Sequence, residues 1–158
     1  MPPISSLVSN ILADYPQYTF IKGDQFRWSP TQEALYYTQL TDMTDVWSML
    51  HELGHAELNH TDYSADVALV QAEALAWQAA QQIAVRYDVV ININYIEDHL
   101  DTYREWLHAR STCPECGQNG LQTKNTYSCI NCRCLWRANE ARICNLRRVT
   151  LQGQDQIS

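Results

Sequence analysis

Residues 51–60 read HELGHAELNH, and this stretch constrains the fold more than any other. Two imidazoles four residues apart lie on one face of an α-helix, so His51 and His55 can each offer a nitrogen to one metal ion. Glu52 follows the first histidine, where a carboxylate can reach a water activated by that ion. The pattern therefore demands a helix. It also demands a neighbour, because a catalytic zinc takes three protein ligands and keeps one position open.

His60 is the nearest further histidine. Zinc proteases that take a third histidine from the same segment carry a glycine that turns the chain, in the order HExxHxxGxxH. Here the intervening residues are Ala56, Glu57, Leu58 and Asn59, with no glycine, and the spacing is one residue short. On a continued helix, at about 100° per residue, His60 lies roughly 140° round from His55. It is expected to point away from the metal, as a helix-end or surface histidine. Glu73 is the stronger candidate. It is the only charged side chain in VALVQAEALAWQAAQQIAV, residues 67–85. A lone carboxylate in such a helix is costly to bury unless a cation or donor set compensates it. A helix packed against the HExxH helix can deliver it, giving two histidines and one glutamate. Asp66 and Asp62 stand next in line. The competing reading leaves Glu73 in solvent among Gln71, Gln78 and Gln82.

The hydrophobic content of 46% is that of a globular chain. No apolar run approaches the ~20 residues of a membrane span, so no membrane association is expected. MPPISSLVSN has neither a basic leader nor a long apolar segment, which predicts a cytoplasmic protein. The net charge of -7 is uneven: residues 1–110 hold 5 Lys/Arg against 15 Asp/Glu, and residues 111–158 hold 6 against 3. The acidic body argues against broad nucleic-acid binding, while the weakly basic tail leaves that option open.

Helical spacing of Ile4, Leu7, Val8, Ile11, Leu12 and Tyr15 predicts a first helix stopped by Pro16. Two β-rich runs flank Gly23-Asp24 and suggest a hairpin, with residues 33–40 as a third strand. Thr44 or Asp42 can cap the HExxH helix, whose Val46, Met49, Leu50 and Leu53 form an apolar face. Further helices are expected at about 66–87 and 94–110. Beyond Ser111, cysteines, Pro114, Gly117 and Gly120 replace helical periodicity, which places a module boundary near 110–112.

VWSMLHELGHAELNH followed by QAEALAW resembles the ImmA/IrrE family of metallopeptidases, and YTFIKGDQFRWSPTQEALYY resembles the small sheet that precedes the motif there. The resemblance covers about residues 15–87. It implies a compact α+β zincin-like core, helices with a short antiparallel sheet, with a catalytic zinc on His51, His55 and Glu73 in gluzincin manner and Glu52 as general base. It also implies a protein or peptide substrate, in a family that acts on DNA-binding repressors. This chain departs from the family in lacking a recognisable helix-turn-helix and in its cysteine-rich tail. SprT-like proteases also join HExxH to a zinc-binding tail, but they take a later histidine, and only His99 and His108 follow His60 here. Tyr63 is a nearby donor for an oxyanion, with packing as its alternative role.

Four of the six cysteines form two pairs, Cys113-x2-Cys116 and Cys129-x2-Cys132. Two such knuckles close a structural four-cysteine zinc site. The stretch resembles a zinc ribbon, with Arg133 where ribbons usually carry glycine. Cys134 competes with Cys132, and knuckle spacing favours Cys132. Cys144 is expected to be a free buried thiol. The tail arginines are too scattered for a DNA stripe, and only Tyr127 and Trp136 offer stacking surfaces. Contact with protein, or bracing, is therefore preferred to nucleic acid as the ribbon's role.

The sequence thus predicts an α+β chain with a zincin-like metallopeptidase domain at 1–110 and a zinc-ribbon-like module at 111–158. It predicts a zinc endopeptidase with one catalytic and one structural zinc. The alternative is an inactive zincin-fold binding protein whose ribbon contacts protein or nucleic acid.

Overall fold

A computed structural model describes residues 3–139 and 146–151. The fold is α+β, with four helices and two small sheets among these residues. No helix is long and apolar enough to cross a membrane. The chain forms two compact units. One comprises residues up to 62 together with 71–96; the other comprises 63–70 together with residues from 97 onward.

In the first unit, α1 (Ile4–Asp14) buries Leu7 and Ile11 at helical spacing and ends before Pro16. Three short strands follow: β1 (Thr19–Lys22), β2 (Arg27–Ser29) and β3 (Ala34–Tyr37). Their order is β1-β3-β2, with β1 parallel and β2 antiparallel to β3. The sheet is thus mixed, and the expected hairpin across Gly23-Asp24 does not form. Gly23 N–H donates to Tyr37 O at 2.7 Å, so the chain leaving β1 stays beside β3. The antiparallel pair is β2–β3, closed through residues 30–33 where Glu33 takes a left-handed φ of 49°.

Helix α2 (Met43–Glu57) begins at Asp42. Its carboxylate accepts from Thr44 N–H at 2.9 Å and Asp45 N–H at 3.2 Å, and the Asp45 carboxylate accepts in turn from Asp42 N–H at 3.3 Å, a reciprocal cap. Val46, Met49, Leu50 and Leu53 are fully buried, as the periodicity predicts. Helix α3 (Asp66–Val85) supplies Ala76, Trp77, Ala80, Ile83 and Ala84 to the same core from its part beyond residue 70.

The second unit holds most of helix α4 (Ile93–Ser111) and a four-stranded antiparallel meander: β4 (Gly120–Thr123), β5 (Thr126–Cys129), β6 (Leu135–Ala138) and β7 (Arg148–Thr150). Its small core is Cys113, Tyr127, Cys129 and Trp136. Tyr127 and Trp136 stack with centroids 5.7 Å apart, and Gly120 lies against Trp136, where a Cβ would come within 2.4 Å of the indole. Residues upstream of 111 complete this unit. Arg110 Nε donates to Asp66 at 2.9 Å and to the Tyr127 hydroxyl at 3.0 Å, Tyr127 also bonds Asp66, and Trp136 Nε1 donates to Arg110 O at 2.9 Å. Buried polar side chains are costly unless they find such partners.

Candidate metal centres

In the first unit the packing of α2 on α3 decides what the histidines meet. Gly54, inside HELGH, has no room for a side chain: a Cβ there would lie 2.3 Å from Ala76 O. The two backbones touch, and α3 brings Glu73 to His51. His51 Nε2 and Glu73 Oε2 are 2.8 Å apart, His55 Nε2 and Glu73 Oε1 3.3 Å, and the two Nε2 atoms 3.1 Å. All three side chains are largely buried. Trp77, one turn beyond Glu73, stacks on the His51 ring at 4.2 Å.

This donor set fits a small divalent ion. Bonds of about 2.0 Å at a tetrahedral centre put neighbouring ligand atoms about 3.3 Å apart. Two imidazole nitrogens and a carboxylate turned towards one point are also the expected ligands of a borderline cation. Burial opposes a charge on His55, but the hydrogen bond and negative charge of Glu73 outweigh it and raise its pKa above the ordinary value.

Glu52 does not join that cluster. Its Oε2 accepts the backbone N–H of Trp28, in β2, at 2.8 Å. Sequence periodicity gave no sign of this bond, because it depends on how an edge strand lies beside α2.

His60 is not among the converging ligand atoms, but its setting differs from the continued helix that was expected. The helix does not continue to it. Asn59 takes a left-handed φ of 57°, its N–H bonds Ala56 O at 3.1 Å, and His60 N–H bonds His55 O at 3.0 Å. This is a Schellman termination, with asparagine in the place usually held by glycine. The chain turns back, and His60 Nδ1 lies 2.9 Å from His55 Nδ1. His60 therefore touches the ring nitrogen opposite the one that meets Glu73. Burial, with His55 next to it, holds its pKa below the ordinary value.

Of the other candidates, Asp66 is engaged by Arg110 and Tyr127, Asp62 is exposed, and Tyr63 is 37% exposed. His99 and His108 lie on α4 and are not in the histidine cluster.

In the second unit Cys113, Cys116, Cys129 and Cys132 converge as a potential metal site, and Cys134 only packs beside them. Cys113 and Cys132 sulfurs are 3.6 Å apart, and those of Cys116 and Cys129 3.4 Å. Tetrahedral bonds of about 2.3 Å to sulfur predict edges near 3.8 Å. The knuckles repeat one turn: Gly117 N–H bonds Cys113 O at 3.0 Å, and Arg133 N–H bonds Cys129 O at 3.1 Å. Both turn residues have positive φ, 79° for Gly117 and 65° for Arg133, so arginine fills the conformation a glycine would favour. The thiols are unequal. Asn131 and the Gln118 backbone hold Cys116 down to about 6, while Cys132, against a lowering bond from the Cys134 backbone, is pushed up to about 12 by desolvation and the neighbouring sulfurs.

The expected stacking surfaces are not surfaces. Tyr127 is 1% exposed and Trp136 0%, so neither can receive a base. They look like binding aromatics in sequence because a cysteine-rich segment has so few other residues for a core. Cys144 lies outside the described residues.

No family model, curated protein or solved structure matches this chain.

Proposed function

We propose that this protein is a zinc-dependent endopeptidase of ImmA/IrrE type, with its metal on His51, His55 and Glu73 and a second, structural zinc on the four cysteines. One observation carries the reading. Glu73, the lone carboxylate of an apolar helix, is buried within 2.8 Å and 3.3 Å of the two HExxH histidines.

A zinc ion held by His51, His55 and Glu73 would supply Lewis-acid activation of a water and of the scissile carbonyl. Glu52 would act as the general base, taking a proton from the attacking water and delivering it to the leaving amine. The Trp28 N–H orients this carboxylate without exhausting it, since a carboxylate has about four lone-pair sites. His51 and Glu73 are buried and the His55 side chain is only 12% exposed, which limits competing water. The ribbon braces its own unit or contacts protein; with Tyr127 and Trp136 inside, a stacking role on nucleic acid has no support.

Elemental mass spectrometry of the full chain tests the site. Two zincs per chain are expected in the native protein and one in Glu73→Ala. Cleavage of a peptide library is expected to vanish in Glu52→Gln with both metals retained. Persistent cleavage in that variant removes Glu52 from the mechanism. Two metals without cleavage of any substrate point instead to a binding protein on the same scaffold.

A further inference from the structure

We propose that His60 is a positioning residue for the metal centre: its Nδ1 accepts the Nδ1–H of His55 and so fixes which nitrogen His55 turns to the ion. The inference rests on the reading that His51, His55 and Glu73 hold a metal.

The geometry assigns each nitrogen a task. His55 Nε2 lies 3.1 Å from His51 Nε2 and 3.3 Å from Glu73 Oε1, on the side where the ligands converge. His55 Nδ1 lies 2.9 Å from His60 Nδ1. A neutral imidazole has one N–H and one lone pair. A ring that gives its Nε2 lone pair to a cation must carry its proton on Nδ1. That proton needs an acceptor, because the His55 side chain is only 12% exposed. His60 supplies one, as the tautomer protonated on Nε2. The usual acceptor for a ligating histidine is a carboxylate, a carbonyl or a water. An imidazole does the same work without adding negative charge to a site that already has Glu73.

His60 is itself fixed. The reversed turn at Asn59 aims it back along α2, and Trp28 Nε1–H donates to His60 O at 3.3 Å. Trp28 also gives its backbone N–H to Glu52. One residue of β2 thus ties down both the carboxylate of HExxH and the histidine behind the second ligand.

The test uses the full chain and zinc alone, with affinity measured by competition against a chromophoric chelator. His51→Ala identifies which binding step belongs to the histidine site. His60→Phe keeps a ring but removes the acceptor. His60→Asn restores an acceptor, because its Oδ1 stands as many bonds from the backbone as Nδ1. We expect zinc binding about 10–100-fold weaker in His60→Phe, a value near the native one in His60→Asn, and melting temperatures for the zinc-stripped variants close to that of the zinc-stripped native chain. Native affinity in His60→Phe overturns the inference, as does equal weakness in the two variants. If the native chain and His51→Ala bind the same number of ions, the metal centre itself is wrong and the inference falls with it.

Discussion

Gly54 shows how much one hydrogen atom can decide. A methyl group there meets the carbonyl oxygen of Ala76, a backbone atom that no side-chain rotation can move aside. Gly54→Ala must push α3 off α2 and carry Glu73 away from His51. We expect a loss of about 1–3 kcal/mol in stability, seen by denaturant unfolding. On the function proposed above, metal bound at the histidine site should be lost while metal bound by the cysteines stays, which metal analysis reads directly. Glu73 itself was legible in the sequence, because a single charge among alanines, leucines and valines calls for a partner. The need for glycine at 54 was not, since it exists only once two helices are in contact. Trp28 was illegible for the same reason: what matters there is its main chain.

At the scale of elements, periodicity found all four helices of the described residues within a few residues of their ends. It failed where a chain stops or turns. The absence of glycine between His55 and His60 suggested a continuing helix, yet Asn59 ends it by accepting a left-handed conformation. Asparagine tolerates that region better than other non-glycine residues, whereas a β-branched side chain does not. Asn59→Gly should therefore leave stability and zinc affinity near native values. Asn59→Val should lower stability by about 1–2 kcal/mol and weaken zinc binding, because His60 loses its approach to His55. Thermal melts and chelator competition on the two variants check both halves. The first sheet was misread at this scale too. Alternation identifies strands, but nothing local states that β1 will pair with β3 and not with β2.

For the whole molecule, both clusters of metal-type ligands follow from spacing rules plus one long-range contact, and the sequence pointed to each. The extent of the units was harder to see, because a small cysteine-rich sheet recruits Asp66 and Arg110 from helices that precede it. Those contacts give the protein an alkaline limit. The Tyr127 hydroxyl is buried and bonded to Asp66, both of which raise its pKa well above the ordinary tyrosine value. Tyr18, on Glu57, is pushed up to about 12 by burial and then by that bond, and Tyr87, on Asp14, is raised likewise. In the unfolded chain these phenols ionise near pH ~10. Stability from groups with raised folded pKa values is complete below that pH and is lost as pH rises above it. In a base titration followed by phenolate absorbance and circular dichroism together, the share of the absorbance change that is lost in Tyr18→Phe, Tyr87→Phe and Tyr127→Phe should be the share that appears only as the fold opens. An absorbance change complete before the dichroism changes would remove these bonds from the account.

The stack of Trp77 on His51 has an optical meaning. An excited indole is sensitive to the electron demand of whatever ring lies on its face, and this ring belongs to a candidate ligand. Filling the site should alter the emission of Trp77 more than that of Trp136, which is buried in the other unit. If His51 does bind a metal, Trp77 would serve as a built-in fluorescent gauge of its occupancy.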